Sequence, residues 1–273
     1  MKRAILTYLC FFSALLAYTQ SQTEWIDRAF AYFEQDSLEQ AEKCFQEAAE
    51  QASSEEQRAM LLANLGTIQR QRGRIHESID THTQALALSP FNADLLMHRA
   101  MAYIAIGNDD KAYIDLCNIL DREHNHKEAL YYRAFINTQR HDYAAARTDY
   151  KRLLSNVPNH RDALLGLALL DQREGRMQAA EQQITILIEQ QPDNITYLLA
   201  RSDVYAEQNL YDLALLDLDA AIDLQSDNAQ LYATRAELYL KMKRYTAAKA
   251  DLDKATSIGM PRAALANLYK QCE

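Results

Sequence analysis

The 273-residue sequence has only six glycines, four prolines and two valines, Val157 and Val204. Mixed α/β and all-β enzymes of this length draw on turn glycines and β-branched runs, so the shortage excludes a dinucleotide-binding or barrel architecture. Neither a GxGxxG motif nor a P-loop signature occurs, and six scattered glycines cannot build a phosphate cradle. A CxxC or CxxH pair is also missing, which removes support for a cysteine zinc site. Bases are short as well, with 29 Lys and Arg against 38 Asp and Glu. Residues 1 to 21 hold Lys2 and Arg3 and no acid, so the remainder carries 27 bases against the same 38 acids, a charge of −11. Such a surface repels phosphate and argues against a nucleic-acid partner.

Apolar runs are short too. Residues 4 to 17, AILTYLCFFSALLA, follow Lys2 and Arg3 and precede the polar stretch 18 to 23. The run falls below the ~20 residues that a membrane span needs, and the succession is that of a secretory signal peptide. The expectation is that residues 1–21 hold a signal peptide, cleaved after Ala17, Thr19 or Ser21. The protein would then be exported, periplasmic or secreted, with no membrane span in the mature chain. Cys10 lacks the small preceding residue of a lipoprotein signal, which disfavours a lipid anchor. Cys44, Cys117 and Cys272 remain, an odd number that implies no disulfide framework. They read as small apolar packing residues.

Abundant Leu, Ala, Gln, Glu and Tyr point to helix, and an internal period sets its arrangement. Units 59–92, 93–126, 127–160, 161–194, 195–228 and 229–262 align at 34 residues without insertion, after a longer first unit, 22–58. The eighth position is always small, from Ala29 and Gly66 to Ala236, and so is the twentieth, from Ala41 and Ser78 to Ala248. Bulky apolar side chains fill the fourth and, mostly, the twenty-fourth. Positions four, eight and eleven share one helical stripe, as do twenty, twenty-four and twenty-seven, which predicts two amphipathic helices per unit. Gly73, Gly107 and Gly175 stand at position fifteen, where the turn belongs, and Pro90, Pro158 and Pro192 close units at position thirty-two. Ser54-Glu55-Glu56-Gln57 has the form of a capping box starting a helix. Leu265, Leu268, Tyr269 and Cys272 share one face of a short capping helix, 263–273.

These units resemble tetratricopeptide repeats. Trp25, Ala29, Tyr32, Ala41, Phe45 and Ala48 match that family's pattern in unit one, and Leu65, Gly66, Ala85 and Pro90 match it in unit two. Departures are His124 and Ser226 at the closing proline, His82 at a bulky apolar position, and Asn137 and Asp171 at the tyrosine. The resemblance implies an all-α, right-handed superhelical solenoid of seven helix pairs plus the cap, with first helices lining a concave groove. It also implies a non-enzymatic scaffold for a protein or peptide partner, without cofactor or metal. The repeats and the cap use every residue after the signal, leaving no catalytic domain.

Two patterns mark candidate residues. Arg99, Arg133, Arg201 and Arg235 stand at position seven in the units that carry Asp115, Asp149, Asp217 and Asp251 at position twenty-three. Unit one has Arg28 but Cys44, while units two and five have Leu65 with Thr81 and Leu167 with Gln183. On antiparallel helices joined near position fifteen each Arg can reach its Asp, as a structural ion pair. The second pattern concerns the positions with which the family lines its groove, which here include Met97, Met101, Tyr131, Tyr132, Phe135, Leu165 and Leu169. This strip suits an apolar peptide or an amphipathic helix, unless neighbouring first helices bury it. A small-ligand or glycan receptor, or an accessory subunit of an envelope enzyme, is the alternative. The Lys and Asn with which some relatives grip C-terminal carboxylates are absent from positions five and nine. His124-Asn125-His126 reads as a polar loop between units, without a convergent third metal ligand.

Overall fold

The computed structural model describes residues 22–273, so the predicted signal segment lies outside the described residues. Among the described residues every regular element is helical. Helix α1 covers 22–34. It is followed by α2 (Leu38–Glu50), α3 (Glu55–Gln71), α4 (Ile75–Leu88), α5 (Ala93–Ala105), α6 (Asp109–Arg122), α7 (Lys127–Gln139) and α8 (Tyr143–Asn156). Then come α9 (Arg161–Arg173), α10 (Met177–Gln190), α11 (Ile195–Glu207), α12 (Tyr211–Leu224), α13 (Ala229–Lys241) and α14 (Tyr245–Ser257). A 3₁₀ turn (Arg262–Leu265) and α15 (Ala266–Gln271) complete the fold. Odd-numbered helices from α1 to α13 are the first helices of successive repeats. The chain divides into two compact units, and the boundary between Arg140 and His141 falls in the turn of the fourth repeat.

Local chemistry explains the hairpins. The residue at position fifteen has positive φ in every repeat: Asp36, Gly73, Gly107, His141, Gly175, Asn209 and Lys243. Only three are glycines, so four side chains accept a left-handed turn to keep the hairpin closed. Between repeats, Ser54, Asn92, His126, His160, Asn194 and Asn228 cap the next first helix by accepting a backbone N–H. His126 is therefore a helix cap, and His124 Nδ1 lies 2.7 Å from the Leu120 carbonyl oxygen. Ser54 accepts from Gln57 N–H, but Gln57 Oε1 returns to the N–H and hydroxyl of Ser53 instead of closing the box on Ser54.

The position-twenty column, Ala41, Ser78, Ala112, Ala146, Ala180, Ala214 and Ala248, is fully buried throughout. Small side chains there let paired helices approach closely, and where a hydroxyl intrudes it is satisfied across the pair. Ser78 Oγ donates to the Gly66 carbonyl at 2.7 Å, and in the facing position-eight column Ser202 Oγ donates to the Ala214 carbonyl at 3.0 Å. Leu265 is buried on the last pair, with Leu268, Tyr269 and Cys272 packed around the same cluster. The first turn of the predicted cap is thus 3₁₀, because Pro261 at its start fixes an extended entry.

Candidate functional site

The Arg and Asp columns meet. Arg99 on α5 donates to Asp115 on α6 from Nε at 2.8 Å and Nη2 at 2.7 Å. Arg201 does the same to Asp217 at 2.9 and 2.6 Å, and Arg235 to Asp251 at 2.8 Å from both nitrogens. The aspartates are buried while the guanidiniums are partly covered, so the fork geometry is held in a desolvated setting. The fourth column pair is divided between the units, with Arg133 in the first and buried Asp149 in the second.

Each strut has a further arm that the sequence did not disclose. Arg99 Nη1 donates to Thr83 Oγ1 at 3.1 Å, Arg201 Nη1 to Thr185 Oγ1 at 3.2 Å and Arg235 Nη1 to Asp219 Oδ1 at 2.6 Å. Arg133 Nη1 likewise reaches Cys117 Sγ at 3.6 Å. All four partners lie sixteen residues earlier, on the second helix of the preceding repeat. Arg99, Arg201 and Arg235 therefore each fasten their own hairpin to the previous one.

Repeats two and five, which carry Leu65 and Leu167 in place of Arg, solve the same problem differently. Thr81 Oγ1 donates to Gln69 Oε1 at 2.7 Å, and Gln69 Nε2 donates to buried Glu42, which also accepts from Arg72 and Arg74. In repeat five, Gln183 Nε2 donates to Asp171 Oδ2 at 2.7 Å, and Asp171 accepts from Arg147 and Arg176. The corresponding positions are used with charges exchanged, the buried acid sitting on the preceding repeat in one case and within the repeat in the other. A comparison of single columns cannot see such a swap.

The first helices place side chains of a different kind. In the first unit, Phe30 (46% exposed) and Phe33 on α1, Met60 (59%) on α3 and Phe135 (39%) on α7 are exposed. Met97, Met101, Tyr131 and Tyr132 are half-buried, the two tyrosine rings meeting edge to face at 5.1 Å. A cleft of about 930 Å³ opens between α3 and α5, lined by Glu55, Glu56, Met60, Asn64, Asp94 and His98 among others. Its floor is apolar and its rim acidic. Behind it His82 is fully buried and stacks on His98 with ring centroids 5.4 Å apart. Burial above all, then the charges of His98, Arg70 and Arg99, push the His82 pKa down to about 3, so the ring is neutral. In the second unit, Leu165 and Leu169 on α9 are half-buried and pack against the cluster of Ala168, Ala180, Ile184, Leu187 and Tyr197. On α11, burial first and Glu207 next lift the Asp203 carboxyl above the usual range, with Lys241 opposing.

Among the described residues no group of three His, Cys, Asp or Glu side chains is placed to hold a metal ion. No described helix is long and apolar enough to cross a membrane. Buried polar groups bind helix to helix, and large apolar groups stand exposed on first helices; this defines a helical-repeat protein built to present a surface. Models of the tetratricopeptide repeat match residues 20–90, 138–203 and 229–258. The chain belongs to the tetratricopeptide repeat family.

Solved structures agree. A tetratricopeptide repeat protein from Parabacteroides merdae is 28% identical, superposes with a TM-score of 0.79, and the match covers 93% of this chain and 99% of that one. The pilF protein of Pseudomonas aeruginosa is 17% identical with a TM-score of 0.59, over 78% of this chain and 92% of its own. YrrB, described as a repeat protein of this family with an unusual peptide-binding site, is 20% identical with a TM-score of 0.56, over 73% and 97%. At these last two identities the likeness concerns the fold. No curated protein matches the sequence.

Proposed function

We propose that the protein is a non-enzymatic scaffold, exported to the periplasm or beyond, that holds a partner polypeptide on the first-helix face of its first unit. One observation carries this reading: Phe30, Phe33, Met60 and Phe135 are exposed on first helices of that unit, beside half-buried Met97, Met101, Tyr131 and Tyr132. Water-facing phenylalanine on α1 and α7 and methionine on α3 are unfavourable for a free surface and favourable for one that is covered on binding. The acidic rim formed by Glu55, Glu56 and Asp94 gives the partner its second attribute, a basic group near an apolar segment. YrrB, with its peptide-binding site, is consistent with a peptide-like ligand on this fold.

The binding part is tested by capturing the partner with wild-type protein and with Met60→Ser and Phe135→Ala variants. Loss of capture by folded variants supports the proposal, and undiminished capture contradicts it. Export rests on the charged, apolar and polar succession in residues 1–23. N-terminal sequencing of the exported protein should find a start between Tyr18 and Gln22, whereas intact Met1 in a membrane fraction would favour an anchor.

A further inference from the structure

The second helices carry one face that the ion-pair struts and the first-helix surface leave unexplained. On α12, Leu213, Leu216, Ala220 and Leu224 follow one another at helical spacing, and Leu210 stands at its N-cap. Leu216 is 64% exposed, and Leu210, Leu213 and Leu224 are each exposed by more than two fifths. The sites equivalent to Leu210, Leu216 and Leu224 in the preceding hairpin are Arg176, Gln182 and Gln190, and the following hairpin has Arg244 and Ala250 at the first two. The neighbouring hairpins thus lack this row of leucines on the outward side of a second helix. Ile186 on neighbouring α10 adds a further exposed apolar side chain.

Charge identifies what would cover this row. Helices α10 and α12 together contain Glu181, Glu189, Asp212, Asp217, Asp219 and Asp223 and not one lysine or arginine. Asp217 is turned inward onto Arg201, and Asp219 pairs with Arg235. Glu189 and Asp223 face solvent, as does Asp212, which also accepts from Arg244 at 3.3 Å. Asp212, Asp219 and Asp223 follow a stripe adjacent to the leucines at intervals of seven and four, so an apolar row runs beside an acidic one. A second copy of the chain would bring the same acids against these, and an anionic lipid surface would be repelled in the same way.

We infer that α12, with α10 beside it, is a second docking surface, and that its occupant is an amphipathic helix with a leucine-type apolar face and lysine or arginine along its edge. The row spans four turns of α12, enough to seat a helix of similar length. It lies on second helices and uses none of the side chains assigned above to the first-helix surface.

The test uses the full mature chain and a synthetic amphipathic helical peptide of leucine and lysine, about five turns long, with a leucine–glutamate peptide as its charge-reversed control. Binding is followed by fluorescence anisotropy across a salt series around ~0.15 M. The lysine peptide should bind the wild type, and Leu213→Ser with Leu216→Ser should weaken it by about tenfold or more. Asp212→Asn with Asp223→Asn should weaken binding and flatten its salt dependence, while Phe135→Ala on the other surface should leave it unchanged. Because the substituted leucines are exposed, circular dichroism should show an intact fold; should the double variant lose helicity, Leu216→Ser alone takes its place. Unaltered binding to the leucine variants, or equal binding of the glutamate peptide, would overturn the inference. So would a dimer in sedimentation equilibrium that Leu216→Ser dissociates, since the surface would then belong to a second copy.

Discussion

The imidazole of His82 occupies the space that a side chain on Gly66 would need: a Cβ built there would meet His82 Cε1 and Nε2 at 2.7 Å. The small position of one helix and the bulky position of its partner are filled as a matched pair, glycine against a fully buried histidine. Gly66→Ala should therefore destabilise the protein by about 1–3 kcal/mol, through overpacking against a ring that cannot withdraw. Urea denaturation measures this, and a change below about 0.5 kcal/mol would show that the ring has room to move.

The same histidine makes stability depend on acid. Its ring nitrogens have no hydrogen-bond partner among the described residues, and its pKa is about 3 against an ordinary 6.5. A base whose folded pKa is depressed stays neutral in the fold but takes up a proton in the unfolded chain. Stability is consequently undiminished above pH ~6.5 and falls as pH drops through the window from ~6.5 to ~3, by about 2 kcal/mol at pH ~5. The facing charges, His98, Arg70 and Arg99, act in the same direction, and burial also lowers the pKa of His98. His82→Leu should flatten this part of the pH profile in denaturation measured from pH ~7 to ~4.

Breaking a strut should be expensive. Asp115 is buried and receives two bonds from Arg99, which also holds Thr83 of the preceding hairpin. Asp115→Ala leaves a partly buried guanidinium without its counter-ion and should cost about 3–5 kcal/mol, several times what an exposed pair contributes. A double-mutant cycle on Arg99→Ala and Asp115→Ala checks the coupling. A coupling energy near zero would mean that the pair contributes geometry without stability.

Much of this architecture is legible in the sequence because duplication writes it seven times. Hairpin boundaries, small columns and the Arg-to-Asp spacing of sixteen recur with the same residue types, so one helical hairpin explains them all. The third arm of each strut was hidden because its partner changes chemistry, from Thr83 to Cys117, Thr185 and Asp219, and a column of unlike residues has no pattern. The networks around Glu42 and Asp171 were hidden because the acid changes places with its partner between repeats. Exposure on the first-helix face was also undecidable from periodicity, since the sites holding Phe135 and Leu169 resemble one another in sequence. In the structure Phe135 is exposed, whereas Leu169 packs against a core cluster.

The turns offer a gain in stability. Lys243 is held at φ 59° where three other repeats have glycine, a conformation that costs a side-chain-bearing residue about 1–2 kcal/mol. Lys243→Gly relieves that cost and loses part of the benefit to the entropy of the unfolded chain, for a net stabilisation of about 0.5–1 kcal/mol. Thermal unfolding reads it as a rise in Tm, and a fall would show that the lysine side chain contributes more than its backbone strain removes.

The most direct measurement for a binding surface on the first helices is paired: affinity for the captured partner and Tm, each for Phe135→Ala and Tyr131→Ala. Phe135 is 39% exposed and Tyr131 half-buried, so truncation should weaken binding by about 2 kcal/mol or more while Tm moves by only a few degrees. Unchanged affinity together with a large fall in Tm would assign both rings to packing and contradict the account.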